Sequence, residues 1–203
     1  MTHQPEQRIF DSEPHTEGVD TKKKRRPPRN LAEGMVKALR PKQWVKNVLV
    51  VAAPAAAGAD ALTDPRTIAD VALAFVVFCL AASSIYLIND ARDVEADRAH
   101  PTKRFRPIAA GVLPVGLAYA MAVTLIVGAV GLSFLATAGA QLALVVAVYI
   151  GLQLGYCFGW KHQPVIDIAL VSSGFMLRAM AGGVAAGISL SQWFLLVMAF
   201  GSL

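Results

Sequence analysis

Residues 86–111 read YLINDARDVEADRAHPTKRFRPIAAG and hold four acids, five Lys/Arg and a His-Pro in a chain that is otherwise mostly apolar. Read as a helix, Asn89, Asp90, Asp93 and Asp97 fall on one face, because steps of three, four and seven residues return to the same side. Tyr86 stands on the adjoining turn, and Glu95 points roughly the opposite way. Carboxylates aligned on one stripe repel one another unless a cation compensates them. Hard oxygen ligands with a substrate phosphate to share describe a Mg²⁺ site. Lys103, Arg104 and Arg106 follow directly and suit a polyanion. The competing reading is a solvated loop whose charges only keep it wet, but such loops seldom align their acids so strictly.

Composition says what must position this stretch. A hydrophobic fraction of 55% with positive mean hydropathy places the chain in the membrane class. The net charge of +5 is uneven: eleven of the nineteen Lys/Arg precede Asn47, and most of the rest lie in residues 86–111. These charges flank apolar spans, so anionic lipid and the positive-inside rule account for them and no nucleic-acid partner is expected. Cys79 and Cys157 lie within or at the edge of apolar spans without a CxxC neighbour, which suggests packing rather than a disulfide or a metal site.

Residues 1–30 are polar and include the run KKKRRPPR, expected as a disordered basic cytoplasmic tail touching acidic headgroups; no apolar core of a secretory signal follows. The run fits a nuclear-localisation pattern only in isolation. Residues 31–47 predict an amphipathic interfacial helix with Trp44 at headgroup depth and snorkelling lysines. Apolar spans are expected at about 48–62 (interrupted by Pro54), 68–88, 112–136, 141–158 and 165–190, with a sixth from Gln192. The loops near 59–66, 137–140 and 187–191 hold a single cation, Arg66. The positive-inside rule therefore places the N-terminus, the acidic stretch and Lys161 in the cytoplasm.

Two isolated features remain. Arg178 lies near the middle of the fifth span, where a charge faces a cavity or pairs with an acid that joins two helices. The small residues around it (Ser172, Ser173, Gly174, Gly182, Gly183) permit close helix packing without any ligand. Lys161, in YCFGWKH, is either a phosphate-binding point charge or a topogenic lysine. His162 reads as a loop histidine, since no second His stands at metal spacing.

The motifs RPKQWVKN (40–47), NDARDVEADRAHPTKRFRPIAAG (89–111), YCFGWKH (156–162) and the arginine in FMLRAMAGG resemble the UbiA-type superfamily of intramembrane prenyltransferases. The likeness is strongest to the branch that moves phosphoribose onto decaprenyl phosphate for bacterial cell-wall arabinan precursors. NDxxDxxxD is shared across the superfamily, whereas HPxKxxRPIAxG and RPxQWxKN are more specific to that branch. The resemblance covers about residues 35–203. It implies an all-α, polytopic transmembrane helix bundle of nine helices, of which 31–203 supplies about six, an apparent C-terminal truncation of the domain.

The resemblance also implies a reaction. Phosphoribose passes from 5-phosphoribosyl 1-diphosphate to decaprenyl phosphate in the bacterial inner membrane, with Mg²⁺ as cofactor, membrane lipid as partner and a homo-oligomer compatible with the family. Asn89 and Asp93 are expected to hold Mg²⁺, with Asp90 and Asp97 as further ligands or around them. Lys46, Tyr86 and Lys103 are expected at the donor. Lys103, Lys161 and Arg178 are expected at the acceptor phosphate, and Asp93, Lys103 and Asp90 carry the catalytic roles. Two other classes stand beside this reading. An aromatic prenyltransferase would use the same acids, but the HPTKRFRP run argues for a second anion. A transporter or scaffold gives no reason for the acidic stripe.

Overall fold

The structure, a computed structural model, describes residues 26–159 and 164–201. All the secondary-structure elements among the described residues are helical. In chain order they are α1 (Leu31–Ala38), a 3-10 helix (Pro41–Val51), α2 (Ala52–Ala57), α3 (Ala59–Thr63), α4 (Pro65–Arg92) and α5 (Val94–Ala99). A short 3-10 turn (Lys103–Phe105), α6 (Val115–Ser133), α7 (Gly139–Phe158), α8 (Pro164–Ala185) and α9 (Gln192–Gly201) follow. Among the described residues, α4, α6, α7 and residues 168–185 of α8 are long and apolar enough to cross a membrane; α9 is apolar but shorter. This is a multi-pass membrane architecture. The tail expectation falls mainly on residues 1–25, outside the described residues.

The second to sixth expected spans correspond to α4, α6, α7, α8 and α9. The first expected span and the interfacial helix do not hold as continuous helices. Residues 31–47 divide at Arg40, the one described non-glycine residue with positive φ (53°), immediately before Pro41. A residue preceding proline is pushed out of the α region, and the helix ends there. The expected 48–62 span is a 3-10 helix followed by two short α-helices, separated at Gly58, whose φ of 114° suits glycine. Pro54 has no N–H to donate to the Val50 carbonyl in the α pattern, so the helix type changes just ahead of it.

Helix α4 is the centre of the bundle and packs against α6, α7, α8 and the first 3-10 helix. Asp64 caps it by accepting from the Thr67 N–H at 2.7 Å, and Pro65 fits the first helical position. That bond also holds the exposed Asp64 carboxyl below the usual carboxylate range. One apolar core joins Val77, Phe78 and Ala81 of α4 to Leu142 and Val146 of α7 and Ala181 of α8. A second joins Leu87 and Ile88 to Ala38 of α1, Ile108 and Leu113 of the loop, and Ala118 of α6. It docks α1 and the 100–114 loop onto the end of α4 that carries the acids.

The opposite end is latched separately. Buried Asp70 accepts from the Thr137 N–H at 3.1 Å and from the Thr137 hydroxyl at 2.5 Å, while Arg66 Nε donates to the same hydroxyl at 2.9 Å. The small residues of α8 meet the first span. A Cβ on Gly182 would lie 1.8 Å from the Val50 carbonyl oxygen, and one on Gly183 would lie 2.7 Å from Ala53 Cβ. The carbonyl that Pro54 cannot reach is thus the one against which α8 packs. Gly182→Ala must move backbone, so the expected loss is at or above the upper end of the roughly 1–3 kcal/mol typical of overpacking. Thermal unfolding and folded yield in detergent check it; a wild-type melting curve would show that this contact is loose.

Candidate functional site

The acidic stripe is real but divides into two edges with different partners. Asp93 closes α4 and opens α5: its N–H donates to Asn89 O at 2.9 Å, and its carbonyl accepts from Asp97 N at 2.8 Å. Asn89 and Asp93 line a cavity of about 320 Å³ with Arg40, Tyr86, Arg106 and Tyr156. Asp90 and Asp97 turn the other way and are buried. Arg40 Nη2 donates to both Asp90 oxygens, at 2.6 and 2.9 Å, and Arg106 Nη1 donates to Asp90 at 3.1 Å and to Asp97 at 2.6 Å.

Of the two positions expected for Asp90 and Asp97, as further metal ligands or around the Asn89 and Asp93 pair, this four-residue clasp favours the second. Two arginines compensate Asp90 and Asp97. Among the described residues no group of three or more His, Cys, Asp or Glu is gathered for a metal. The pair that fits Mg²⁺ is Asn89 and Asp93, two hard oxygen donors one turn apart on a cavity wall. That suits an ion which takes one or two protein ligands and completes its shell with water and substrate phosphate.

The clasp also positions the site. It ties the α1 break, the end of α4, α5 and the 100–114 loop together, and Arg40 stacks 4.7 Å from the Tyr86 ring centre. Gly34 of α1 lets the loop approach, since a Cβ there would stand 3.1 Å from Val112. Arg106→Ala leaves two nearly buried carboxylates (side chains 4% and 3% exposed) short of a partner. Breaking such a network costs about 3–5 kcal/mol, and Arg106, 27% exposed, places this case near the lower figure. Thermal unfolding measures it. A variant as stable as wild type would show that water reaches both acids.

A second cavity, of about 180 Å³, opens further into the bundle. Lys46, Tyr149, Gln153, Gly174 and Arg178 line it, and it shares Ile85, Tyr86 and Gln153 with the first cavity. Arg178 is 7% exposed. Its Nε donates to Asn47 Oδ1 at 2.8 Å, Nη1 to Gly174 O at 2.6 Å and Nη2 to the Tyr149 hydroxyl at 2.8 Å. Its guanidinium lies 4.9 Å from the Tyr149 ring centre. Every one of these partners is neutral, so the acid-paired reading of Arg178 is not realised among the described residues. A buried cation held by neutral groups at a cavity wall is arranged to receive an anion.

Tyr86, Asn89 and Asp93 therefore share one section, Lys46 and Arg178 share the other, and Tyr86 belongs to both. Lys103 is exposed on the 3-10 turn and lines neither section. Its N–H and that of Thr102 approach His100 Nδ1, which gives the histidine a turn-forming role. Lys161 and His162 lie outside the described residues. Trp44, expected at headgroup depth, donates to Ser83 Oγ at 3.1 Å. A separate groove of about 480 Å³ between the first span and α4 is lined by apolar side chains and Thr67, and suits hydrocarbon rather than chemistry.

Residues 47–203 match the model of the UbiA prenyltransferase family. The chain belongs to that family. A solved UbiA homologue from Archaeoglobus fulgidus, bound to DMAPP and Mg²⁺, superposes with a TM-score of 0.70 at 17% identity, over 82% of this chain and 59% of that one. At that identity the likeness is one of fold. The chain is 77% identical over 201 residues to a decaprenyl-phosphate phosphoribosyltransferase of Corynebacterium glutamicum, covering 99% of this chain and 60% of that protein. It is 66% identical over 179 residues to the protein of the same name from Mycolicibacterium smegmatis, 87% of this chain and 56% of that one. The chain thus spans under two thirds of the length of the curated relatives it matches.

Within this UbiA chain, the residues missed by sequence reasoning are Arg40 and Arg106 as partners of the acids, Asn47 and Tyr149 as holders of Arg178, and Gln153. Signals existed for some. Arg40 and Arg106 both precede a proline, which takes their backbone out of helix. Gln153 is a polar residue inside an apolar span, a standing pointer to a cavity.

Proposed function

We propose that the protein transfers 5-phosphoribose from 5-phosphoribosyl 1-diphosphate to the phosphate of decaprenyl phosphate, releasing diphosphate. One observation carries this reading: two neighbouring cavities share Ile85, Tyr86 and Gln153, with paired oxygen donors lining one and a cation pair lining the other. Such an arrangement suits two phosphorylated substrates that must meet. The names of the relatives support the same pair of substrates.

Asn89 and Asp93 would hold Mg²⁺, which when bound would neutralise the leaving diphosphate as the ribose C1–O bond breaks. Arg40 and Arg106 line the same section and keep Asp90 and Asp97 neutralised, so these buried acids do not repel the donor's phosphates. Tyr86, under the Arg40 guanidinium, forms one wall of the passage between sections. Lys46, expected from the sequence at the donor but lining the Arg178 cavity, joins Arg178 in holding the acceptor phosphate, whose oxygen attacks C1, and bringing the two substrates together supplies much of the rate. The acceptor phosphate is already ionised at neutral pH, so the step requires no dedicated general base. Lys161 is proposed at the acceptor phosphate and Lys103 at the donor, reaching it from its exposed turn. The positive-inside pattern supports a cytoplasmic N-terminus and site, which we assign to a bacterial inner membrane, with residues 1–30 as a tail and 31–203 as the membrane domain.

The test supplies membranes containing the protein with donor labelled in the pentose, with and without decaprenyl phosphate. Mg²⁺-dependent label in the lipid fraction, with stoichiometric diphosphate release, is expected. Diphosphate release only with a prenyl diphosphate and an aromatic acceptor would replace this reading with the aromatic prenyltransferase one.

A further inference from the structure

Resting on the reading above, we propose that Gln153 recognises a ring hydroxyl of the donor pentose and so makes the site selective for a sugar diphosphate over an isoprenoid diphosphate. The argument begins with where the pentose must sit. Its diphosphate belongs with Asn89 and Asp93, and its C1 must face the acceptor phosphate at Lys46 and Arg178. The ring therefore occupies the passage between the two sections, whose shared residues are Ile85, Tyr86 and Gln153. Ile85 has no polar group. The Tyr86 ring is covered on one side by Arg40. The Tyr86 hydroxyl can also donate and accept, but of the three only Gln153 presents an acceptor oxygen and a separate two-proton donor side by side, the pattern that pairs with a sugar hydroxyl in either sense.

The state of that amide supports the assignment. Gln153 lies inside the membrane-spanning helix α7 and is half-buried, and no hydrogen bond to another described residue engages its side chain. A polar group in a span that lines a cavity and is unmatched among the described residues is matched by ligand or water. Space has also been kept for a ligand. A Cβ on Gly174 would lie 3.2 Å from Gln153 Nε2 and 3.3 Å from Arg178 Nη1, so glycine leaves open the gap between the amide and the guanidinium. A pentose hydroxyl satisfies the amide. An isoprenoid chain in the same place would leave it without a partner, and a site built around a hydroxyl rejects ligands that lack one.

Donor affinity is measured by calorimetry in nanodiscs, in a chain carried to the full length of the relatives, with Mg²⁺ present. The ligands are 5-phosphoribosyl 1-diphosphate, its 2-deoxy and 3-deoxy analogues, inorganic diphosphate and a prenyl diphosphate. Wild type is expected to lose roughly tenfold in affinity for one of the two deoxy analogues. Gln153→Leu, which suits the bilayer, is expected to lose a similar factor for the parent donor and to bind that deoxy analogue and diphosphate as wild type does. It should also gain affinity for the prenyl diphosphate. Equal weakening toward every ligand, diphosphate included, would reduce Gln153 to a packing role, and unchanged binding of all of them would remove it from the site. Gln153→Met, closer in shape, repeats the comparison should the leucine variant fold poorly. A wild type that binds the prenyl diphosphate but no pentosyl donor sinks the phosphoribosyl reading itself, whereas wild-type donor binding with an indifferent Gln153→Leu sinks this inference alone.

Discussion

Asp93→Asn should abolish phosphoribosyl transfer while leaving membrane insertion and folding intact. Asp93 sits at the junction of α4 and α5, half-buried, and its backbone bonds to Asn89 and Asp97 survive the change of side chain. What the substitution removes is a negative oxygen donor from the wall of the cavity. Losing even an outer-shell partner of a metal ligand costs roughly 10–100-fold, so loss of a charged ligand should exceed a hundredfold in turnover. Asp90→Asn, three residues away, provides the contrast. Its carboxylate neutralises Arg40 and Arg106, so the expected phenotype there is loss of folded protein, by about 3–5 kcal/mol for a broken buried network. Turnover across a Mg²⁺ titration, alongside melting in detergent, distinguishes the two. Unchanged activity of Asp93→Asn with ordinary Mg²⁺ dependence would sink the metal assignment.

That contrast marks where sequence reasoning stops. Spacing put Asn89, Asp90, Asp93 and Asp97 on one stripe, but a stripe on a helix about 10 Å across has two edges, and what each edge touches is a long-range fact. Asp90 meets Arg40 from 50 positions away and Arg106 from 16. Periodicity reports which side of a helix is polar, not which cation lies opposite. The membrane spans were legible for the complementary reason: in lipid, hydrophobic length almost alone decides helix placement, so α4, α6, α7 and α8 follow the apolar runs. The first span escaped because Pro41, Pro54 and Gly58 interrupt its hydrogen bonding without interrupting its hydrophobicity. Arg178 was conspicuous as a charge in a span, yet two of its three neutral partners, Asn47 and Tyr149, come from distant segments that converge only in the fold.

Arg178→Lys should weaken the acceptor selectively. Of the guanidinium N–H groups, one on each nitrogen is committed to Asn47, Gly174 and Tyr149, which leaves one N–H on each terminal nitrogen for a ligand. Two such donors match two oxygens of a phosphate, and lysine keeps the charge while losing that fork. The acceptor's apparent affinity should fall by a factor of roughly ten to a hundred, the equivalent of about 1.5–3 kcal/mol for a charged hydrogen bond. Donor affinity should change far less, because the proposed mechanism holds the donor diphosphate at Asn89 and Asp93. Lysine also deserts some of the polar partners of Arg178, so folded yield is measured alongside. Tyr149→Phe separates the two effects: it keeps the guanidinium and removes one of the bonds that aim it. That variant should weaken the acceptor several-fold at near-normal yield, since a net hydrogen bond is worth about 1 kcal/mol. If instead both variants show a normal acceptor KM with reduced folded protein, the guanidinium is a strut between α7, α8 and the first span, and the acceptor phosphate must be held by Lys46 or by residues outside this cavity.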